Sequence, residues 1–323
     1  MKRILAIREF PVALAFILVI AVTGLSNSQF LTQQTLRDIL IGTAVVATLA
    51  VGQTFIIVMK HIDISVGSTA GFVAFLVGNW TTNGLNLGVA VLLGLLVGAL
   101  VGVFNGLLVA YLELPSLVVS LGSLYAVRGI FNNVATGTAI TADHLPQPIL
   151  AFGSNLLFGV PWLFICALLM MFAAGLYLRF TRQGRDLYAI GSNFEAAKLA
   201  GIPVKRRIFT TFVLNSVIAG IGGIVILSRF SGADATSGTG IELGVVAACV
   251  VGGVAIAGGI GTPYGAIIGA LLLQGISLAL GALGVSQFWQ QAVGGVLLLG
   301  AITMDRVVAS RQSVTRTIRV VAA

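Results

Sequence analysis

Residues 87–112 read LGVAVLLGLLVGALVGVFNGLLVAYL, a run of 26 without a charge and with one amide, Asn105. As a helix rising 1.5 Å per residue it reaches about 39 Å, enough to cross roughly 30 Å of hydrocarbon. Nine further apolar runs flank it, at 10–26, 39–59, 64–80, 114–131, 161–180, 208–228, 242–260, 264–285 and 288–305. Of the 323 residues, 58% are hydrophobic and only 9% are charged, and the mean hydropathy is +1.06. Soluble domains carry roughly 25% charged residues, so a cytosolic enzyme is excluded. The pattern predicts an all-α, polytopic membrane protein of about ten transmembrane helices, forming one domain over 1–323. Runs 64–80 and 114–131 hold several polar residues and Gly, and are expected to be broken or partly re-entrant.

The net charge of +8 does not point to nucleic acid, because the cations sit between the apolar runs. Lys2, Arg3 and Arg8 open the chain, seven Lys or Arg lie from Arg179 to Arg207, and four lie from Arg306 to Arg319. Positive loops stay in the cytoplasm. Both termini, the loop 181–207 and the short tail 306–323 are therefore expected inside, with six spans before the loop and four after it. The stretches 132–160 and 229–241 then face outward. No small-residue cleavage pattern follows the first run, which reads as a span and not a signal peptide.

Cys166 and Cys249 each lie inside an apolar run, and His61 and His144 are far apart in sequence. Neither a disulfide framework nor a metal site is expected, and no cofactor. Gly98-Ala99-Leu100 aligns with Gly269-Ala270-Leu271, and Ile62-Asp63 loosely with Ile241-Glu242. Five spans separate the copies, as in two inverted five-helix repeats. Chance matches among abundant Gly and Leu give the same pattern, and on sequence alone both readings stand.

Gly94, Gly98, Gly102 and Gly106 recur at spacing four, which puts a smooth stripe on one helix face; Gly261, Gly265 and Gly269 repeat the device. In lipid such stripes let backbones approach closely. The stripe reads as tight packing within one bundle, or as a subunit contact or moving gate. No charge falls in the middle of a confident span, as an ion-coupled carrier would need. The polar groups within the spans are neutral, among them Gln53, Ser68, Asn105, Ser123, Asn215 and Gln274. They suit a neutral, hydroxyl-rich solute, or hydrogen bonds between helices. Pathway candidates are Asp63, Ser65, Ser68, Asn105 and Gln274, with Asp63, Ser65 and Ser68 supporting a helix break near the pathway.

If no ion supplies the work, ATP can, yet the chain has no G-x-x-x-x-G-K-[ST]. The ATPase would be a separate subunit docked on the cytoplasmic face. The loop 181–207 offers a docking element. Asn193 is placed to cap a short helix with Glu195 in its first turn, and Gly201 and Pro203 stop it.

Glu195-Ala196-Ala197 to Gly201 resembles the coupling loop of ABC importer permeases. The fuller string, from Gly184-Arg185 through Ala189-Ile-Gly191-Ser-Asn193 to Gly201-Ile202, is similar to the ribose-type branch. So are Gly52-Gln53-Thr54, Ile62-Asp63-Ile-Ser65-Val-Gly-Ser68, Asn105-Gly106, Leu121-Gly-Ser-Leu124 with Arg128-Gly129, and Gly238-Thr-Gly-Ile-Glu242. The segments span about 40 to 305. The resemblance implies a permease subunit of an ATP-driven importer for a sugar or sugar-like solute, without enzymatic activity of its own. It implies an ABC ATPase subunit gripping Gly191, Asn193, Glu195, Ala196, Ala197 and Gly201. A periplasmic or extracellular solute-binding protein and a second permease subunit, identical or a sister, would complete it in the bacterial inner membrane. One departure stands out: Lys60-His61 precedes the Ile-Asp motif where Gly is frequent. A branched-chain amino acid permease of a sister branch, an ion-coupled secondary carrier and a non-transporting scaffold remain as alternatives.

Overall fold

A computed structural model of the chain describes residues 9–27, 30–286, 289–290, 292–296, 299–300 and 303. The tail 306–323, Lys2, Arg3, Arg8 and much of the run 288–305 lie outside the described residues. Helices follow the apolar runs: α1 (Glu9–Ser26), α2 (Gln33–Val58), α3 (Val66–Thr82), α4 (Leu87–Ala110) and α5 (Ser116–Ala135). Next come a 3-10 turn (Ala142–His144), α6 (Gln147–Ser154) and an antiparallel pair of two-residue strands, β1 (Leu156–Leu157) and β2 (Val160–Pro161). Then follow α7 (Trp162–Phe180), α8 (Arg182–Ser192), α9 (Phe194–Leu199), α10 (Val204–Phe230), α11 (Ile241–Val251) and α12 (Pro263–Ala282).

Among the described residues seven helices are long and apolar enough to cross a membrane: α1, α2, α4, α5, α7, α10 and α12. α3 has 17 residues and α11 only 11. The runs 64–80 and 114–131, expected to be broken or partly re-entrant, are unbroken helices, α3 and α5, in which Ser68 and Ser120 bond the carbonyls of Ser65 and Leu117. The interruption falls instead within the expected span 242–260. α11 stops at Val251, where Gly253 turns left-handed at φ 91° and Val254 N–H returns to Cys249 O at 2.9 Å. Gly258, Gly259 and Gly261 also take positive φ, so residues 252–262 form a glycine-built loop.

α2 and α10 form the core. From Ile39 to Val58 almost every α2 residue is buried, and α10 touches α2, α3 and α4. Close approach is built from small residues: a Cβ on Gly222 of α10 would meet Leu49 Cδ2 at 2.5 Å, and one on Gly52 would meet Asn215 Oδ1 at 2.5 Å. The contacts exchange between halves: α3 and α4 pack on α10, while α11 and α12 pack on α2. α1, α4 and α7 turn large apolar side chains outward, such as Ile17, Leu100 and Leu169, as helices bathed in hydrocarbon do.

The bundle has two ends. One carries α8 and α9, the C-termini of α2 and α4, and the start of α1, where Glu9 accepts from the Thr262 hydroxyl at 2.8 Å. The other carries residues 132–161 and the C-terminus of α10, joined where Ile140 and Ala233 exchange backbone hydrogen bonds of 2.8 and 3.1 Å.

Candidate functional site

The segment 181–207 is two capped helices. Thr181 caps α8 by accepting from Gly184 N–H at 2.9 Å. Asn193 ends α8 and begins α9, its side chain accepting from Ala196 N–H at 3.0 Å. Glu195 lies in the first turn of α9 and Lys198 in the last, each matching the helix dipole. Gly201, at φ 75°, closes α9 while Ile202 N–H reaches Ala197 O at 3.1 Å. Ala197 is buried, whereas Glu195, Ala196 and Gly201 are exposed. Leu199 is 88% and Phe194 44% exposed. Both apolar side chains stand out beside the charges of Glu195 and Lys198, on a helix of six residues.

This segment is braced against the membrane helices at close range. Gly191 is buried where a Cβ would run into Val58 O and meet Gly259 N at 2.6 Å. Gly259 N–H in turn donates to Val58 O at 2.8 Å. Gly191 thus lies where three backbones meet: the end of α8, the end of α2 and the glycine loop after α11. The Tyr188 hydroxyl adds a bond to Gly261 O at 2.7 Å, and burial pushes its ionisation up. Arg207 pairs with the largely buried Asp186 at 2.8 Å, tying α8 to α10. The Lys205–Glu113 pair, at 2.8 Å, is exposed and screened.

Between α2 and α3 the chain leaves helical geometry for residues 59–65. Lys60 takes φ 67°, the left-handed conformation that a Gly would adopt without strain. Asp63 then enters the bundle with no exposed surface. Its Oδ1 accepts from Ser65 N–H at 2.9 Å and from the Ser65 hydroxyl at 2.6 Å, and its Oδ2 accepts from Asn215 Nδ2 at 3.0 Å. Asn105 donates to Ser65 Oγ at 3.0 Å and accepts from the Ser123 hydroxyl. In the amide orientation that satisfies its surroundings, Gln53 donates to Asp63 O at 3.1 Å and accepts from Asp63 N–H at 3.2 Å. The Ser68 hydroxyl donates to Ser65 O at 2.9 Å, and Ser116 accepts from Ile62 N–H at 3.2 Å. One buried knot joins α2, α3, α4, α5 and α10. Its loose end is Asn215 Oδ1, which faces Gly52.

The second interruption, 231–240, follows α10 and runs back along α3. Ile140, the partner of Ala233, lies near Gly78; Ser237 O lies against Gly71, and Gly238 O against Gly67. Arg128 of α5 clamps this segment, donating to Ala235 O at 3.0 Å and to Ser237 O at 2.9 Å. Glu242 follows, in the first turn of α11, with Oε2 shielded from solvent and unpartnered.

Of the sequence candidates, the structure brings Asp63, Ser65, Ser68 and Asn105 together. Gln274 stands apart on α12, against Gly42 of α2. Gly98, Gly102 and Gly106 face α10 within the same chain, at Ser216, Val213 and Phe209, and Gly94 faces Val73 and Val77 of α3.

The family described as branched-chain amino acid transport system / permease component matches residues 35–302. The chain belongs to this permease family. An autoinducer 2 import system permease protein LsrC of Enterobacter sp. (strain 638) is 35% identical over 98% of this chain and 91% of its own length. The LsrC of Escherichia coli O9:H4 is 36% identical over 92% of this chain and 86% of its own. That of Salmonella paratyphi B is 34% identical over 94% and 88%. No solved structure is a significant match. The permease is a multi-pass transport subunit and not an enzyme, and its family implies an ATPase and a solute-binding protein as partners.

Several residues of this permease acquire roles that sequence alone did not assign. Gln53, Ser123 and Asn215 were visible as polar groups in apolar runs, but spacing along the chain does not reveal that they meet Asp63. Thr48 and Thr54 are also polar groups in an apolar run, but their hydroxyls bond their own helix, to Ala44 O at 2.8 Å and Ala50 O at 2.7 Å, with Thr54 also reaching Cys249 Sγ of α11 at 3.8 Å. Arg128 and Glu242 signalled themselves as charges beside spans.

Proposed function

We propose that this permease forms the membrane path of an ATP-driven importer for a sugar or sugar-like solute, working by alternating access. The observation that carries the substrate class is the 34–36% identity, over more than nine tenths of the chain, to permeases named for autoinducer 2 import. In this reading the end bearing α8 and α9 is cytoplasmic, together with both termini and the tail 306–323. A separate ABC ATPase grips Gly191 to Gly201, with Glu195, Ala196, Phe194 and Leu199 at the contact. The whole of 1–323 is one permease domain, and a second permease subunit, identical or a sister, completes the path. A solute-binding protein docks at the opposite end. The exchanged packing of α3 and α4 on α10, and of α11 and α12 on α2, supports two inverted repeats.

The segment 181–207 is suited to transmit force because nothing in it is slack. α9 is capped at both ends, and α8 is clamped at Gly191, Tyr188 and Asp186. Asp63, Ser65, Ser68 and Asn105 hold the helices that must move as one body, and Gln274 lies nearer the opposite end. The test is uptake of autoinducer 2 into vesicles holding the permease, its ATPase and its binding protein. Uptake requires ATP and survives an uncoupler; uptake that follows a proton gradient without ATP overturns the reading. The family description favours branched-chain amino acids as the second reading. Competition by leucine in the same assay decides for it, and competition by a pentose decides against it.

A further inference from the structure

A charge on a surface that faces hydrocarbon costs at least several kcal/mol, so an unpaired one inside a membrane bundle marks water or a ligand. Among the described residues the side-chain ion pairs are Lys205–Glu113 and Arg207–Asp186, both at the coupling-segment end. Arg128 and Glu242 are different. Arg128 spends one nitrogen on the carbonyls of Ala235 and Ser237. By the donor count of a guanidinium, three N–H groups remain, without an acceptor among the described residues, and the group lies 5.4 Å from the centre of the Phe131 ring. Glu242 accepts no hydrogen bond, and its Oε2 rests against Gly67, near the start of α3. Fifteen residues of α3 separate Gly67 from Thr82 at the opposite end, a depth of about 22 Å. The surface beside the two charges mixes apolar, polar and open positions: Leu121, Tyr125 and Leu243 are exposed, Thr239 is exposed, and Gly122 and Gly244 face open space.

We propose that this face, made by α5 and residues 236–244, is the solute-facing wall of the path, and that Arg128 and Glu242 form its polar contact point for a neutral, polyhydroxylated solute. Each hydroxyl both donates and accepts. One hydroxyl can donate to Glu242 Oε1, the oxygen not turned into Gly67, while a neighbouring one accepts from the free N–H groups of Arg128. With one charge of each sign the contact point has no net charge to favour an anion or a cation, and an apolar solute would leave both groups desolvated and unpaired. Residues 236–244 reach this depth because the break after α10 brings them down along Gly71 and Gly67, where any side chain would collide.

The proposal deepens the importer reading, and its test separates the two. In a background with Cys166 and Cys249 replaced by Ala, single cysteines are placed at Tyr125, Thr239 and, on the lipid side of α4, Leu96. The whole complex in vesicles is treated with a charged, membrane-impermeant thiosulfonate. Y125C and T239C are expected to react at least ten times faster than L96C, with rates that change when ATP and vanadate trap the ATPase. Labelling as slow as at L96C, whether from burial under a second subunit or in lipid, overturns the wall. Glu242→Gln is expected to lower autoinducer 2 uptake at least tenfold while the ATPase still co-purifies; undiminished uptake overturns the contact point. Fast labelling at Thr239 with no ATP-dependent uptake by the unmutated protein would sink the importer reading and leave the wall standing.

Discussion

Two of the segments where the chain leaves helical geometry, 59–65 before α3 and 231–240 before α11, lead into the bundle beside an acid, and they are built on different plans. At 59–65 the acidic residue, Asp63, has no exposed surface and three short hydrogen bonds. At 231–240 the acid within the segment, Asp234, is exposed and accepts from Thr236 and Ser237, whereas the flanking Glu242 accepts no hydrogen bond among the described residues and the nearby Arg128 uses two of its five N–H groups. A saturated carboxylate has nothing left to offer a passing solute, so the first break serves as a rivet. An unsaturated one keeps its bonding capacity, so the second is fitted to work. Membrane depth and residue type do not distinguish them; the count of partners does.

The strongest way to break this contrast is Asp63→Ala. It strands the Asn215 amide and the Ser65 hydroxyl in a dry interior, at a cost of about 2–5 kcal/mol. The expected outcome is loss of most membrane-inserted protein, with a lowered melting temperature in detergent. A variant that purifies with unchanged thermal stability would remove the rivet. Gly191→Ala comes next, because Gly191 touches the chain where the first break begins, at Val58, and the loop after α11, at Gly259. Its methyl must push these backbones apart. ATP-driven uptake should fall at least about tenfold while the ATPase still co-purifies; normal uptake would show that the junction carries no motion.

Lys60→Gly sharpens the contrast within the first break. A left-handed φ of 67° strains a lysine, and glycine relieves about 1 kcal/mol of it. Thermal stability should rise slightly, and a fall would mean that the lysine stem packs usefully against Gly258, which it touches. The smallest effect is expected outside both breaks. Lys205 holds the Glu113 carboxyl below the usual range through its hydrogen bond and charge. A depressed carboxylate stabilises above its unfolded pKa and loses that contribution as pH falls through the folded one. Because both partners are exposed, melting between pH 7 and pH 5 should not respond to Glu113→Gln. A clear response would show this pair to be coupled to the packed helices.

Much of this was legible in the chain itself. Apolar runs located the helices, and Asn193 and Gly201 located the ends of α9, because capping is a local property of a few successive residues. The run 242–260 misled, since hydropathy registers its glycines as neutral and does not register that Gly253, Gly258, Gly259 and Gly261 turn left-handed. Gln274 shows a different limit of the sequence, since only the structure places it against Gly42 and away from Asp63. It has the same polarity as Gln53, but a helix face is chosen by neighbours that are distant in sequence.

Sequence by itself determined that the chain is a multi-pass membrane protein, where most of its helices lie, and how α9 begins and ends. These follow from side-chain transfer energies and backbone preferences that each segment carries alone. Only the tertiary structure decided which polar groups are spent and which are free. That depends on whether Asn215, Ser65 or nothing stands within 3 Å of a carboxylate, and such proximity is set by packing between helices more than a hundred residues apart.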